Sequence, residues 1–93
     1  MTSETKRIKQ VSKPDYPADA KKRGIEGRVV VKVLVDPDGV VKRACAISGT
    51  RILRKAAEKA ALNFIFEPIL LIEEKFARFL EEQIVFEFQL TNK

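Results

Sequence analysis

The chain has no histidine, no tryptophan and a single cysteine. It also lacks any apolar run near the roughly 18 residues that a membrane span needs. Its longest apolar stretch of note is Ile69-Leu70-Leu71-Ile72. Each absence excludes something. Without histidine there is no Ser-His-Asp or Cys-His machinery, and no metal site built from three histidines or from paired cysteines and histidines. One cysteine cannot close an internal disulfide, so cysteine usage gives no reading of the redox compartment. The first ten residues are polar and lack the apolar core of a signal peptide. The carboxylates that remain lie mostly in ion-rich stretches, as surface charges do. The chain therefore reads as a binding module and not an enzyme, with no cofactor and no metal expected.

What is present describes a folded domain. Ninety-three residues are enough for one core and too few for two. Hydrophobic residues at 45% and charged residues at 33% suit a globular chain. The charge is uneven: residues 51–66 carry a net +3 and residues 67–93 a net −3, within an overall +5. A basic front and an acidic back can steer partners of opposite sign. Basicity alone suggests nucleic acid, but the strand faces show no paired exposed aromatics for base stacking. Gly24-x-x-Gly27 opens a hairpin where a nucleic-acid-binding glycine loop would join two helices. No nucleic-acid partner is expected.

Along the chain, residues 1–12 show no apolar periodicity and read as a flexible arm or linker, with the domain proper over 13–93. Pro14 and Pro17 hold Lys13 and Tyr16 extended. Pro17 then opens a short helix to Arg23, with Gly24 at the position of a left-handed C-cap. From Arg28 to Asp36, Val29, Val31, Val33 and Val35 fall on one face of a strand at period two and should be core. Asp36-Pro37-Asp38-Gly39 is a turn. A second strand over Val40 to Ser48 pairs back, and its broken alternation requires a bulge near Lys42-Arg43. Cys45 reads as a small buried hydrophobe. Thr50 is a candidate N-cap for a helix over 51–66. There Leu53, Ala56, Ala57, Ala60, Ala61 and Phe64 form the inner stripe, and Arg51, Arg54, Lys55, Glu58 and Lys59 take most of the outer face. Pro68 ends that helix. A third strand includes 83–90, its start left open between there and Phe76, with Ile84, Phe86, Phe88 and Leu90 inward and Gln83, Val85, Glu87 and Gln89 outward.

The expected fold is α+β: an antiparallel three-stranded sheet of spatial order 2-1-3, packed on one face by helices, in the order αββαβ. The third strand becomes an open edge, which either aggregates or is used.

These residues resemble a known family. Tyr16-Pro17, Ala20 and Gly24-Ile25-Glu26-Gly27-Arg28-Val29-Val30-Val31 are similar to the opening of the TonB C-terminal domain. Asp36-Pro37-Asp38-Gly39-Val40-Val41 resembles its hairpin turn, Phe64-Ile65-Phe66-Glu67-Pro68 its helix exit, and Ile84-Val85-Phe86-Glu87-Phe88 its last strand. The resemblance covers about residues 13–90. It implies the periplasmic domain of an energy transducer, anchored in the inner membrane by a segment outside this sequence and coupled there to a motor of the ExbB and ExbD type. The domain would bind the TonB box, a short peptide of outer-membrane transporters, as an added strand beside its last strand, driving uptake of siderophore- or vitamin-type nutrients. The resemblance also implies partner contacts just before the Tyr-Pro pair. The partner-binding candidates are thus Lys13, Asp15 and Tyr16, with Gln83, Val85, Glu87 and Gln89 along the strand. A TolA-like or other TonB-like periplasmic adaptor is the alternative, and isolated domains of the family can form strand-exchanged homodimers.

Overall fold

The computed structural model describes residues 2–3, 8–68 and 79–90. The elements are β1 (Thr2–Ser3), β2 (Ile8–Gln10), α1 (Ala18–Lys22), β3 (Gly27–Val35), β4 (Val41–Ser48), α2 (Arg51–Ala61), β5 (Ile65–Phe66) and β6 (Leu80–Phe88). The apolar run 69–72, the charged run 73–75 and Phe76 lie outside the described residues.

Period-two patterning builds the centre of the sheet. β3 is flanked by β4 and β6, both antiparallel, and Gly27 to Val35 pair with Phe88 to Leu80 without a register shift. Val29, Val31, Val33 and Val35 all point inward and are buried, as are Ile84, Phe86 and Phe88 on β6. α2 lays Leu53, Ala57, Ala60 and Ala61 on this face. Its small alanines allow the close approach of helix to sheet, and Leu53 and Phe64 complete the core. Phe64 meets Phe86 edge-on, with ring centroids 5.7 Å apart.

The hairpin turn is organised by Asp36. Its Oδ1 accepts from the amides of Asp38 and Val40, each at 2.9 Å, while its own carbonyl accepts from Gly39 N at 2.9 Å. These bonds hold an Asx-type turn in place of a bare backbone one. The bulge expected near Lys42 is present: Val35 pairs with Val41 and Leu34 with Arg43, leaving Lys42 as the extra residue. Gly24 follows α1 with φ +66°, the left-handed stop expected of it.

Several expectations need correction. The sheet has four strands, in the order β1-β6-β3-β4, and a second two-stranded sheet pairs β2 with β5. The order 2-1-3 survives inside it as β4-β3-β6. Both additions come from segments of two or three residues, too short to carry a periodicity, and from partners distant in sequence. The stretch read as a flexible arm or linker over 1–12 contributes both β1 and β2. The edge of the last strand is accordingly not wholly open: Thr2 pairs with Val85 and Ser3 with Ile84. That strand closes at Phe88, short of the expected residue 90.

The long helix ends at Ala61, short of Phe66. The amides of Asn63 and Phe64 close tight turns onto the Ala60 and Ala61 carbonyls, and Phe66 N donates to the Gly39 carbonyl at 2.8 Å. The hairpin turn thus captures the residue that the helical pattern assigned to α2. Gly39 adopts φ +94°, and a Cβ there would fall 1.9 Å from the Phe66 carbonyl oxygen. Only glycine permits that approach. Cys45 is exposed, not buried. Ala44 and Ala46 pack against the core, and period two turns the residue between them outward.

Candidate functional site

The seven candidate residues fall into two groups. Gln83, Val85 and Glu87 alternate along β6 on the side opposite the buried Ile84, Phe86 and Phe88. Gln83 is exposed, and Val85 and Glu87 are half-buried. Gln89 lies just past the strand and is exposed. It lines a shallow depression with Glu26, Arg28 and Glu87. Lys13 and Asp15 are exposed on the segment before α1, where they face α2 across a groove.

β6 is the element that matters most for the first group. One side is fully paired with β3 over nine residues. The other side is paired only at Ile84 and Val85 among the described residues. The backbone donors and acceptors facing outward elsewhere along β6 form a row of the kind that accepts an added strand. The opposite edge of the sheet differs. On β4 the amide of Ala46 donates to Glu58 Oε2 at 2.8 Å, so a side chain of α2 occupies a position that an incoming strand would need.

Glu87 is held in place. Arg28 stands directly opposite it in the register, and its Nε and an Nη both donate to Glu87 Oε2, the Nε at 2.9 Å. Lys32, opposite Gln83, reaches Glu81 at 3.7 Å. Beyond the end of β6, Glu26 Oε2 accepts from the Leu90 amide at 2.9 Å. Sequence reading missed these partners. The signal was available only in part, because oppositely charged residues meet across two strands once the register is known and not before.

Tyr16 joins the two groups. Its ring packs edge-on against Phe88, and its hydroxyl donates to the Ile25 carbonyl. Loss of solvent, and secondarily the carboxylate of Glu26, raise its pKa above the ordinary tyrosine value. A phenol that donates a hydrogen bond in a half-buried position is harder to ionise. This residue fixes the 12–17 segment on the end of β6.

The groove behind that segment has a volume of about 370 Å³. Pro14 and Pro17 form one wall, Ala56 and Ala60 of α2 the floor, and Lys55 and Lys59 the far rim. The sequence pattern places both lysines on the outer face of α2. It does not show that Lys13 would stand across from them. Among the described residues, no group of three or more His, Cys, Asp or Glu side chains is gathered to hold a metal ion.

Comparison with known proteins agrees with this architecture. Residues 12–90 match the family described as Gram-negative bacterial TonB protein C-terminal. Among solved structures, the chain is similar to the C-terminal domain of TonB from Pseudomonas aeruginosa, determined by solution NMR. The two share 25% identity, with a TM-score of 0.67, over 97% of this chain and 93% of that one. No curated protein sequence matches.

Proposed function

Because the chain belongs to the family of TonB C-terminal domains of Gram-negative bacteria, we propose that it is the periplasmic peptide-binding domain of a TonB-type energy transducer. It receives the TonB box of an outer-membrane transporter as a strand on the outer edge of β6. The observation that carries this reading is the pairing of β6: nine residues long, complete toward β3 and, among the described residues, two residues deep toward β1. An extended peptide gains main-chain hydrogen bonds along such an edge, and the outward side chains Gln83, Val85, Glu87 and Gln89 read its sequence secondarily. Lys13, Asp15 and Tyr16 contact the transporter where the peptide runs off the strand. Coupling to an ExbB- and ExbD-type motor through an inner-membrane anchor, and uptake of siderophore- or vitamin-type cargo, belong to the same proposal. So does strand exchange between two copies at this edge.

The reading makes β1 a competitor. Thr2 and Ser3 occupy the centre of the edge that the peptide needs, so the peptide must displace them. A two-residue pairing is a small obstacle, since each net hydrogen bond contributes only about 0.5–1.5 kcal/mol.

The test is a proline scan of consecutive positions 82 to 87, which samples both alternating sets of β6 amides, with a TonB-box peptide, affinity by isothermal titration and folding by circular dichroism. Proline at a position whose amide faces outward removes a donor and obstructs the incoming strand while leaving the β3 pairing intact. At least one folded proline variant is expected to lose binding, while Gln83→Ala and Gln89→Ala retain most of it. If every folded proline variant bound as tightly as the parent, strand addition at β6 would be ruled out.

A further inference from the structure

The groove between the 12–17 segment and α2 is not used by strand addition at β6. Its charges set it apart. On α2, Arg51, Lys55 and Lys59 follow one another at i, i+4 and i+8, all exposed. Like charges at i, i+4 weaken a helix. The first turn of α2 carries no acidic residue to offset them. Across the groove stands a third lysine, Lys13. The ion pairs among the described residues involve Arg23, Arg28, Lys32 and Lys42, and none involves Lys13, Lys55 or Lys59. Three uncompensated ammonium groups therefore surround a floor made of Ala56 and Ala60.

We propose that this groove is a second docking surface, which binds an acidic peptide segment of a partner protein. Charge complementarity selects the occupant. The volume of about 370 Å³ lies at the small end of the range for ligand clefts, so it admits a few residues and not a folded domain. The shallow floor of small side chains leaves room for an extended backbone carrying small apolar residues. The rim is not uniformly basic, because Asp15 stands beside Lys13. A continuous polyanion would meet that carboxylate, whereas a short peptide can place its acids opposite the lysines alone. Lysine ammoniums also lack the fork geometry with which arginine grips phosphate or sulfate. The proposal does not rest on strand addition, since no atom of β6 lines the groove.

The test is NMR titration of the 93-residue chain with a blocked octapeptide of alternating glutamate and alanine, beside an octapeptide of alternating glutamine and alanine. The acidic peptide should shift the amides of Lys13, Asp15, Ala56 and Asn63 and leave those of Gln83 to Glu87 in place. The glutamine peptide should shift none. Double replacement Lys55→Gln and Lys59→Gln should weaken the acidic peptide at least tenfold without lowering the unfolding temperature. Lys13→Gln, on a different element, should weaken it as well. A β6 proline variant that has lost TonB-box binding should still take the acidic peptide, which keeps the two proposals separable. Unchanged affinity in the double variant, equal binding of the glutamine peptide, or shifts confined to β6 would each overturn the assignment. So would binding of dextran sulfate at these amides with no response to the glutamate peptide, which would make the groove a polysaccharide site.

Discussion

Tyr16 stands perpendicular to Phe88, the two ring centroids 5.4 Å apart and the planes at 86°. Its hydroxyl at the same time reaches back to the carbonyl of Ile25. One side chain thereby ties the entry of the domain to the end of its last strand and to the start of β3.

That tie has a pH signature. Tyr16 is the sole tyrosine in the chain, so tyrosinate absorbance reports on it alone. Its folded-state pKa is raised above the ordinary value. The unfolded state therefore loses the phenolic proton first, near pH 10. Below that pH the stabilisation is fully present, and it is lost as pH rises through the folded pKa. Urea denaturation across the alkaline range should show the parent losing stability faster than Tyr16→Phe. A spectrophotometric midpoint at or below the free-tyrosine value would contradict the assignment.

The core predicts a sharp difference between the faces of β6. Phe64 and Phe86 are both fully buried and in edge-on contact. Replacing either by alanine should cost about 3–5 kcal/mol in chemical denaturation. The two losses should not add, with a coupling of about 0.5–1.5 kcal/mol for the aromatic pair. Gln83→Ala, on the exposed side, should stay within about 0.5 kcal/mol.

Two glycines with positive φ separate backbone conformation from steric fit. Gly24 has φ +66° with nothing within 4 Å of an added Cβ, whereas Gly39 has φ +94° with the Phe66 carbonyl in the way. Gly24→Ala should cost about 1–2 kcal/mol, the ordinary penalty for a left-handed L-residue. Gly39→Ala should cost clearly more, because the contact between hairpin turn and β5 must open as well. Equal losses in denaturation would show that the β5 contact has no energetic weight.

The Arg28–Glu87 pair is two-thirds exposed on the arginine side. A double-mutant cycle to alanine should give a coupling of about 0.2–1 kcal/mol, falling with added salt. On the proposed function its effect on TonB-box affinity should be modest, because strand addition would draw on backbone groups.

Removing residues 1–7 addresses the competitor strand. The truncated chain should bind a TonB-box peptide more tightly than the parent in isothermal titration, because Thr2 and Ser3 no longer pair with Val85 and Ile84. Weaker binding would show that the segment assists the peptide.

The parts of the fold legible in the sequence are those with local cause. The alternation of valines in β3, the Asp36 turn, the bulge at Lys42 and the glycine stop after α1 all follow from residues adjacent in the chain. The end of α2 did not, because Phe64 continues the helical stripe while Phe66 bonds to Gly39, 27 residues earlier. Two-residue pairings such as Thr2 with Val85 have no pattern to read. The strand half of the candidate site was visible as an alternation of side chains. The groove was not, because Lys13 and Lys59 are brought face to face only by the packing of one segment on another.

The Glu58 carboxylate on the Ala46 amide has a further consequence, for how far the sheet can grow. An antiparallel sheet with two free edges can add strands at both and propagate into a fibre. Here β4 carries a side-chain stopper at Ala46, while on the far side β6 is paired with β1 only at Ile84 and Val85 among the described residues. A second copy joined edge to edge through β6 leaves a stoppered β4 at each end of the combined sheet, so that series stops at two. The stopper on β4 is a single helical glutamate, so Glu58 limits how the sheet can extend on that side.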